Sequence, residues 1–293
     1  LFFINQKQIM TTNNQHTHRP KKHWSQNFLR DDNIALKIAN SLQLTKPFLI
    51  IEIGPGKGIL TKYLLDKATK LLAIEIDPIL AKNLPKSLNY PANLHIIMQD
   101  FIEWDPNDSV GKGSFKNAAV VGNLPYHITS PIIFKVLDYR DRFQQAIFTM
   151  QKEVAQRIAA SPGSKKYGIL SVFCQFYAKV EFLFTIPASV FFPQPQVDSA
   201  VIRLSFLPGA EKELLNPLLF KEIVRLTFNQ RRKMLRNTLL KLFSETILNK
   251  LSLDLKRRPE SLSVKEFVDL ANQLQSIQMS DKHGTYFNRR RNR

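Results

Sequence analysis

The chain holds one cysteine, Cys174, in 293 residues. No intrachain disulfide can form, so the core alone has to hold the fold, and a reducing compartment, the cytoplasm, is expected. The neighbours of Cys174 (Ser-Val-Phe before it, Gln-Phe after it) make it read as a core thiol rather than a nucleophile. Also missing is any apolar run near the roughly 20 residues that span a bilayer, so no membrane partner is expected. The opening residues carry no signal-peptide pattern, and Met10, followed by Thr-Thr-Asn-Asn-Gln, reads as a natural start that Leu1–Ile9 precede. His16 and His18 stand apart from other ligand types, and no metal site is expected. Acidic residues are scarce, 24 against 42 basic ones, for a net charge of +18. Half of that excess lies in the residues after Phe206. A field of one sign over both parts points to a polyanionic partner, nucleic acid before anionic membrane.

What is present is organised around Phe48–Gly58. Phe-Leu-Ile-Ile-Glu-Ile reads as a strand buried on both faces, as in a parallel sheet. Gly54, Gly56 and Gly58 then supply a tight turn, and Ile59–Asp66 continues with helical spacing. Strand, glycine turn and helix form the first unit of a nucleotide-binding α/β sheet. The spacing is G-x-G-x-G, not the dinucleotide G-x-G-x-x-G, which favours a nucleoside without phosphates. S-adenosylmethionine is the cofactor expected, and a dehydrogenase is disfavoured. Glu75 ends the second strand about 20 positions on, where a carboxylate suits the ribose hydroxyls. Asp100, where a third strand should end, can accept from an adenine amino group.

Beyond Leu71 strands and helices alternate in the βαβ manner. Strands are predicted at 71–75, 94–98, 118–122, 144–149, 180–186 and 199–206, the last two as an antiparallel edge. Helices are predicted from Asp31 or Asp32 to Leu42, then at 78–84, 129–137 and 150–160. After Leu207-Pro208-Gly209 strand signals stop, and four short helices are predicted at 217–229, 232–243, 245–252 and 263–274. The division is therefore a flexible basic segment at 1–22, an α/β domain at 23–206, a helical domain at 207–275 and a basic tail at 276–293. The basic segment is expected to gain order only against RNA or the protein body.

Gly122-Asn123-Leu124-Pro125-Tyr126, after an apolar strand, carries the chemistry. The exocyclic nitrogen of adenine is a poor nucleophile, because its lone pair is delocalised into the ring. Asn123 and the Leu124 carbonyl can accept its two hydrogens and draw it towards tetrahedral geometry, with Pro125 fixing the turn. Tyr126 can stack on the base once it leaves its helix. The stiff loop Phe191-Phe-Pro-Gln-Pro-Gln-Val-Asp-Ser199 is expected to hold that base from the other side through Phe191. Arg231, Arg232, Lys233 and Arg236 at a helix end are read as an RNA phosphate patch.

Together these motifs resemble the ribosomal RNA adenine N6-dimethyltransferases, most closely the branch acting on the bacterial small subunit. The resemblance runs over about residues 19–274. It rests on Gln-Asn-Phe-Leu at 26–29, Glu-Ile-Gly-Pro-Gly at 52–56, Glu75-Ile-Asp77, Asp100 and Asn-Leu-Pro-Tyr at 123–126. It continues through Met150–Ala155 with Arg157, Val-Asp-Ser-Ala-Val at 197–201, and Phe228 with Arg231–Lys233. It implies a Rossmann-like class I S-adenosylmethionine-dependent methyltransferase domain, a mostly parallel seven-stranded sheet, with a small all-α C-terminal domain. It implies cofactor contacts at Asn27, Leu29, Gly54, Glu75, Asp100 and Asn123. It further implies dimethylation of two adjacent adenosines in the 3′-terminal hairpin of 16S rRNA, by a monomer acting late on the pre-30S particle. Ser25 stands where the family usually has glycine, and Gln196 where a lysine is common. The rivals are a 23S rRNA adenine methyltransferase and a non-catalytic RNA-binding assembly factor.

Overall fold

A computed structural model describes residues 27–44, 49–107 and 118–280. The segment 1–22, Ser25 and the tail from 281 onward lie outside the described residues. In chain order the fold runs through β1 (Phe28–Leu29), α1 (Asp32–Asn40), β2 (Leu49–Ile53), α2 (Thr61–Leu65), β3 (Lys70–Glu75) and α3 (Pro78–Ser87). Next come β4 (Leu94–Met98), β5 (Ala118–Asn123), α4 (Thr129–Asp138), β6 (Gln145–Gln151), α5 (Lys152–Ile158) and α6 (Ile169–Tyr177). The strands are completed by β7 (Ala178–Ile186), β8 (Phe191–Phe192) and β9 (Ser199–Phe206). Four helices follow: α7 (Pro217–Asn229), α8 (Leu235–Leu239), α9 (Glu245–Leu248) and α10 (Val264–Ser280).

Seven strands form one sheet in the order β4-β3-β2-β5-β6-β9-β7. The first five are parallel, and β9 runs antiparallel between β6 and β7. This is the expected α/β architecture with its antiparallel edge. The apolar runs of β2, interrupted only by Glu52, and of β5 are explained by cover on both faces. Ile50, Leu71 and Val121 enter one core cluster, while their neighbours Ile51, Leu72 and Val120 enter the other. The larger cluster continues without interruption into α7 and α10, through Phe220, Phe267 and Leu274. Phe173 on α6 meets Phe220 on α7 edge-on, centroids 5.9 Å apart. The C-terminal helices therefore complete the sheet's own core.

Several predicted elements differ in extent. The helix read at 59–66 shortens to α2, and the one at 150–160 begins at Lys152 because β6 runs on to Gln151. The helices read at 232–243 and 245–252 shrink to the short α8 and α9, whereas the last extends to Ser280. Helix α6 has no counterpart among the predicted helices. Its sequence, Ile-Leu-Ser-Val-Phe-Cys-Gln-Phe-Tyr, is apolar nearly throughout and passes straight into β7 at Ala178 with no glycine or proline between, so no boundary marks it as a separate element. Cys174 lies inside it, fully buried, and burial pushes its thiol up to about 12, consistent with the core-thiol reading.

Candidate active site

The strand order reverses between β3 and β5, which flank β2 on opposite sides, so a crevice opens beyond the carboxyl ends of these strands. A cavity of about 240 Å³ fills that place. Of the residues singled out in the sequence, Asn27, Gly54, Glu75, Asp100, Asn123, Leu124, Pro125 and Tyr126 all line it. Most sit at the end of a strand or in the turn after it, which is why positions so far apart in the chain converge.

The glycine turn is built by backbone that other residues resist. Gly54 and Gly56 have φ of +62° and +58°, in the left-handed region. A Cβ on Gly56 would stand 3.0 Å from the Phe28 ring, so glycine there lets the N-terminal strand close down on the turn. A Cβ on Gly54 would point into open space, which leaves its main chain open to a ligand. Glu75 ties the turn to β3: its carboxylate accepts from the Gly56 N–H at 3.0 Å and the Asp77 N–H at 2.9 Å. Burial raises the pKa of Glu75. Asp100 accepts from the Ile102 N–H at 2.8 Å, closing the turn after β4.

Across the cavity, Asn123 donates its amide Nδ2 to the main-chain oxygen of Asn27 at 2.9 Å. The donor end of the amide is thereby used, and Oδ1 is left as the acceptor end. The next peptide is fixed too, since Leu124 N–H donates to the Thr149 carbonyl at 2.9 Å. The Thr129 hydroxyl donates to the Pro125 carbonyl at 3.0 Å, tying the turn to the first residue of α4. Tyr126 shares a 2.8 Å hydrogen bond with the Ser199 hydroxyl, and burial raises its pKa, so the ring is neutral and held. Together these groups offer acceptors and an aromatic face beside a nucleoside-sized crevice.

Glu52 lies under the glycine turn, 1% exposed, with Oε2 lacking a hydrogen-bond partner. The Thr149 hydroxyl is likewise buried without one. Both border a second, small void that Gly54, Gly56 and Asn123 also line. Burial, with the charge of Glu75 adding to it, raises the Glu52 pKa to about 8. Phe28, Gln99 and His127 also line the main cavity, and sequence reasoning misses them. Each adjoins a residue that it does single out, so the signal is position beside a site residue.

One expectation needs correction. Phe191 does not face the cavity: it is 3% exposed and packs in the core cluster that holds Leu29 and Ile38. The register of β1 with β8 explains this, because Phe191 pairs with Leu29 and Phe192 pairs with Phe28. Directly opposed residues share a face, so Leu29 and Phe191 turn inward together. Leu29 lines the small void behind the glycine turn. The cationic patch also divides. Arg231 donates to Glu260 at 2.6 Å and to the Ser164 carbonyl at 3.0 Å, and Arg236 pairs with Glu245 and with Asn249. Both are engaged within the protein, while Arg232 and Lys233 are exposed.

A family model described as "Ribosomal RNA adenine dimethylase" matches residues 17–276. A ribosomal RNA small subunit methyltransferase A from Francisella tularensis subsp. novicida is 42% identical over 261 residues, covering 88% of this chain and 98% of that protein. A crystal structure of a dimethyladenosine transferase from Plasmodium falciparum superposes with a TM-score of 0.73 at 25% identity, covering 85% of this chain and 98% of that one. The 23S rRNA methyltransferase ErmE superposes with a TM-score of 0.65 at 28% identity, covering 85% of this chain and 100% of that one.

Proposed function

The chain belongs to the ribosomal RNA adenine dimethylase family, and on that premise we propose that it forms N6,N6-dimethyladenosine at two adjacent adenosines in the 3′-terminal hairpin of 16S rRNA, within the pre-30S particle. It is an S-adenosylmethionine-dependent methyltransferase. The observation that carries the reading is the Asn123 amide, anchored through Nδ2 on Asn27 so that its acceptor end remains, at a cavity shared with Glu75 and Asp100.

When bound, S-adenosylmethionine supplies an electrophilic methyl group. Gly54, Asn27, Glu75 and Asp100 are the residues suited to hold it, around the left-handed turn and the ends of β3 and β4. The target adenine leaves its helix and enters beside Tyr126, whose ring is set by Ser199. Asn123 Oδ1 and the Leu124 carbonyl accept hydrogens of the exocyclic nitrogen and localise its lone pair. Held there, S-adenosylmethionine would supply its methyl carbon to that nitrogen, the carbon–sulfur bond breaking as the nitrogen–carbon bond forms, and water would take the proton that the alkylated nitrogen releases. No strong general base is required of the protein. Residues 207–275 contribute RNA contacts through Arg232 and Lys233, and the chain works as a cytoplasmic monomer.

The 42% identity to small-subunit methyltransferases, against 28% to ErmE, supports 16S over 23S rRNA. The test is to incubate the protein with labelled S-adenosylmethionine and either 30S particles lacking the modification or 50S particles, then map the labelled nucleotides. Dimethyladenosine at the paired adenosines of the 3′ hairpin is the expected result. Label confined to 23S rRNA would move the substrate to the large subunit. No label on either particle would remove the catalytic assignment.

A further inference from the structure

The two-stranded ribbon of β1 and β8 has an outer face as well as an inner one. Phe28 and Phe192 are directly opposed, so they share that outer face, while Leu29 and Phe191 are sealed into the core. Phe28 lines the cavity, and Phe192 does not. Phe192 is 41% exposed. Each ring carries a cation: the Arg30 guanidinium lies 4.0 Å from the Phe192 centroid, and the Lys57 ammonium 5.5 Å from that of Phe28. The result is a row of two rings and two positive charges that begins in the crevice and ends on the surface.

We propose that Phe192, with Arg30, is a stacking platform for an unpaired nucleotide next to the target adenosine. This rests on the reading above in taking RNA as the substrate. The chemistry favours RNA, because a base can stack on the ring or on the guanidinium plane that lies over it, and the positive charge there suits the adjoining phosphate. The chain's charge of +18 has the matching sign. Phe28 lines the crevice and Phe192 stands outside it, so the outer ring serves a neighbouring nucleotide. When the target base swings out, that neighbour loses a stacking partner, and Phe192 replaces it. The platform thereby lowers the cost of presenting the target and sets its register along the strand.

The test compares the full chain with Phe192→Ala, Phe192→Trp and Arg30→Ala. Methyl transfer is measured against unmodified 30S particles, cofactor affinity by calorimetry, and binding of a short fluorescent single-stranded RNA by anisotropy. Phe192→Ala is expected to raise both the KM for particles and the Kd for the oligonucleotide about tenfold, within the usual range for one base on one ring. Its kcat and cofactor affinity should stay within about twofold of the parent by the same argument. Phe192→Trp should restore binding, and Arg30→Ala should weaken it and flatten its salt dependence. Unchanged RNA binding in Phe192→Ala would overturn the proposal. So would a loss of cofactor affinity matching the loss of RNA affinity, since the ring would then only pin β1 in place. If the parent labels no adenosine in either particle, the functional reading fails, and the anisotropy series still decides the platform.

Discussion

At the scale of single residues, the Asn123 amide does two jobs with its two ends. Nδ2 closes the N-terminal strand over the crevice by bonding Asn27, and Oδ1 is left to accept. Asn123→Ala removes both, but only the acceptor bears on the methyl-transfer step. Its loss should lower the single-turnover rate by about 10²–10³-fold, as for other preorganised polar groups at reacting atoms. RNA affinity, measured separately, should change by less than about threefold if the residue acts in this way. An equal loss of RNA binding would make the residue structural. Glu52 offers a different test. Its ordinary pKa is 4.5 and its folded pKa is about 8. Between these values the folded state keeps a proton that the unfolded chain releases, so stability falls as pH rises across the window. Glu52→Gln removes that dependence, and its melting temperature should decline less than that of the parent as the pH is raised through that window. Parallel melting curves would show that Glu52 titrates normally in the fold.

At the scale of elements, the glycine turn and the β1–β8 ribbon are pressed together at Gly56 and Phe28. Gly56→Ala places a side chain at φ +58° and 3.0 Å from the ring. The left-handed backbone alone costs about 1–2 kcal/mol, so melting should drop by several degrees. Displacing Phe28 should also weaken cofactor binding, and an unchanged calorimetric affinity would separate ribbon from site. The turn and the strand ends are legible in the sequence, since Glu75 and Asn123 each follow an apolar run that reads as a covered strand, and Asp100 follows the mainly apolar strand Leu94–Met98. Helix α6 is hidden there, because its short apolar sequence runs into β7 at Ala178 with no breaking residue between them. The fate of Phe191 is hidden for a related reason. Which of two adjacent phenylalanines turns inward depends on a register with Leu29, far away in the chain, and Phe-Phe carries no alternation to reveal it. Arg231 misleads in the same manner: its partners Glu260 and Ser164 lie on other segments, so a run of cations looks like an open surface.

At the scale of the whole molecule, the count of 42 basic residues overstates what RNA can meet, and the net charge of +18 already discounts those matched by acids. Arg140, Arg203, Arg231 and Arg257 are spent on Glu211, Glu181, Glu260 and Glu266. These pairs hold the sheet edge and the C-terminal region together, and they leave binding to side chains such as Arg232 and Lys233. The two roles separate by salt. Counterion release makes the logarithmic salt slope about 0.9 shallower for each duplex phosphate that a variant no longer neutralises, and about 0.7 for each on a single strand. Arg232→Ala with Lys233→Ala should therefore flatten the slope of particle binding by about 1.4–1.8, with urea stability unchanged. Arg231→Ala should do the reverse. Its partly exposed pair with Glu260 and its bond to Ser164 are together worth on the order of 1 kcal/mol, so the urea midpoint should fall while the salt slope holds. If Arg231→Ala instead flattened the slope and left the midpoint alone, Arg231 would release Glu260 when RNA binds, and the patch would regain the cation that the folded chain holds back.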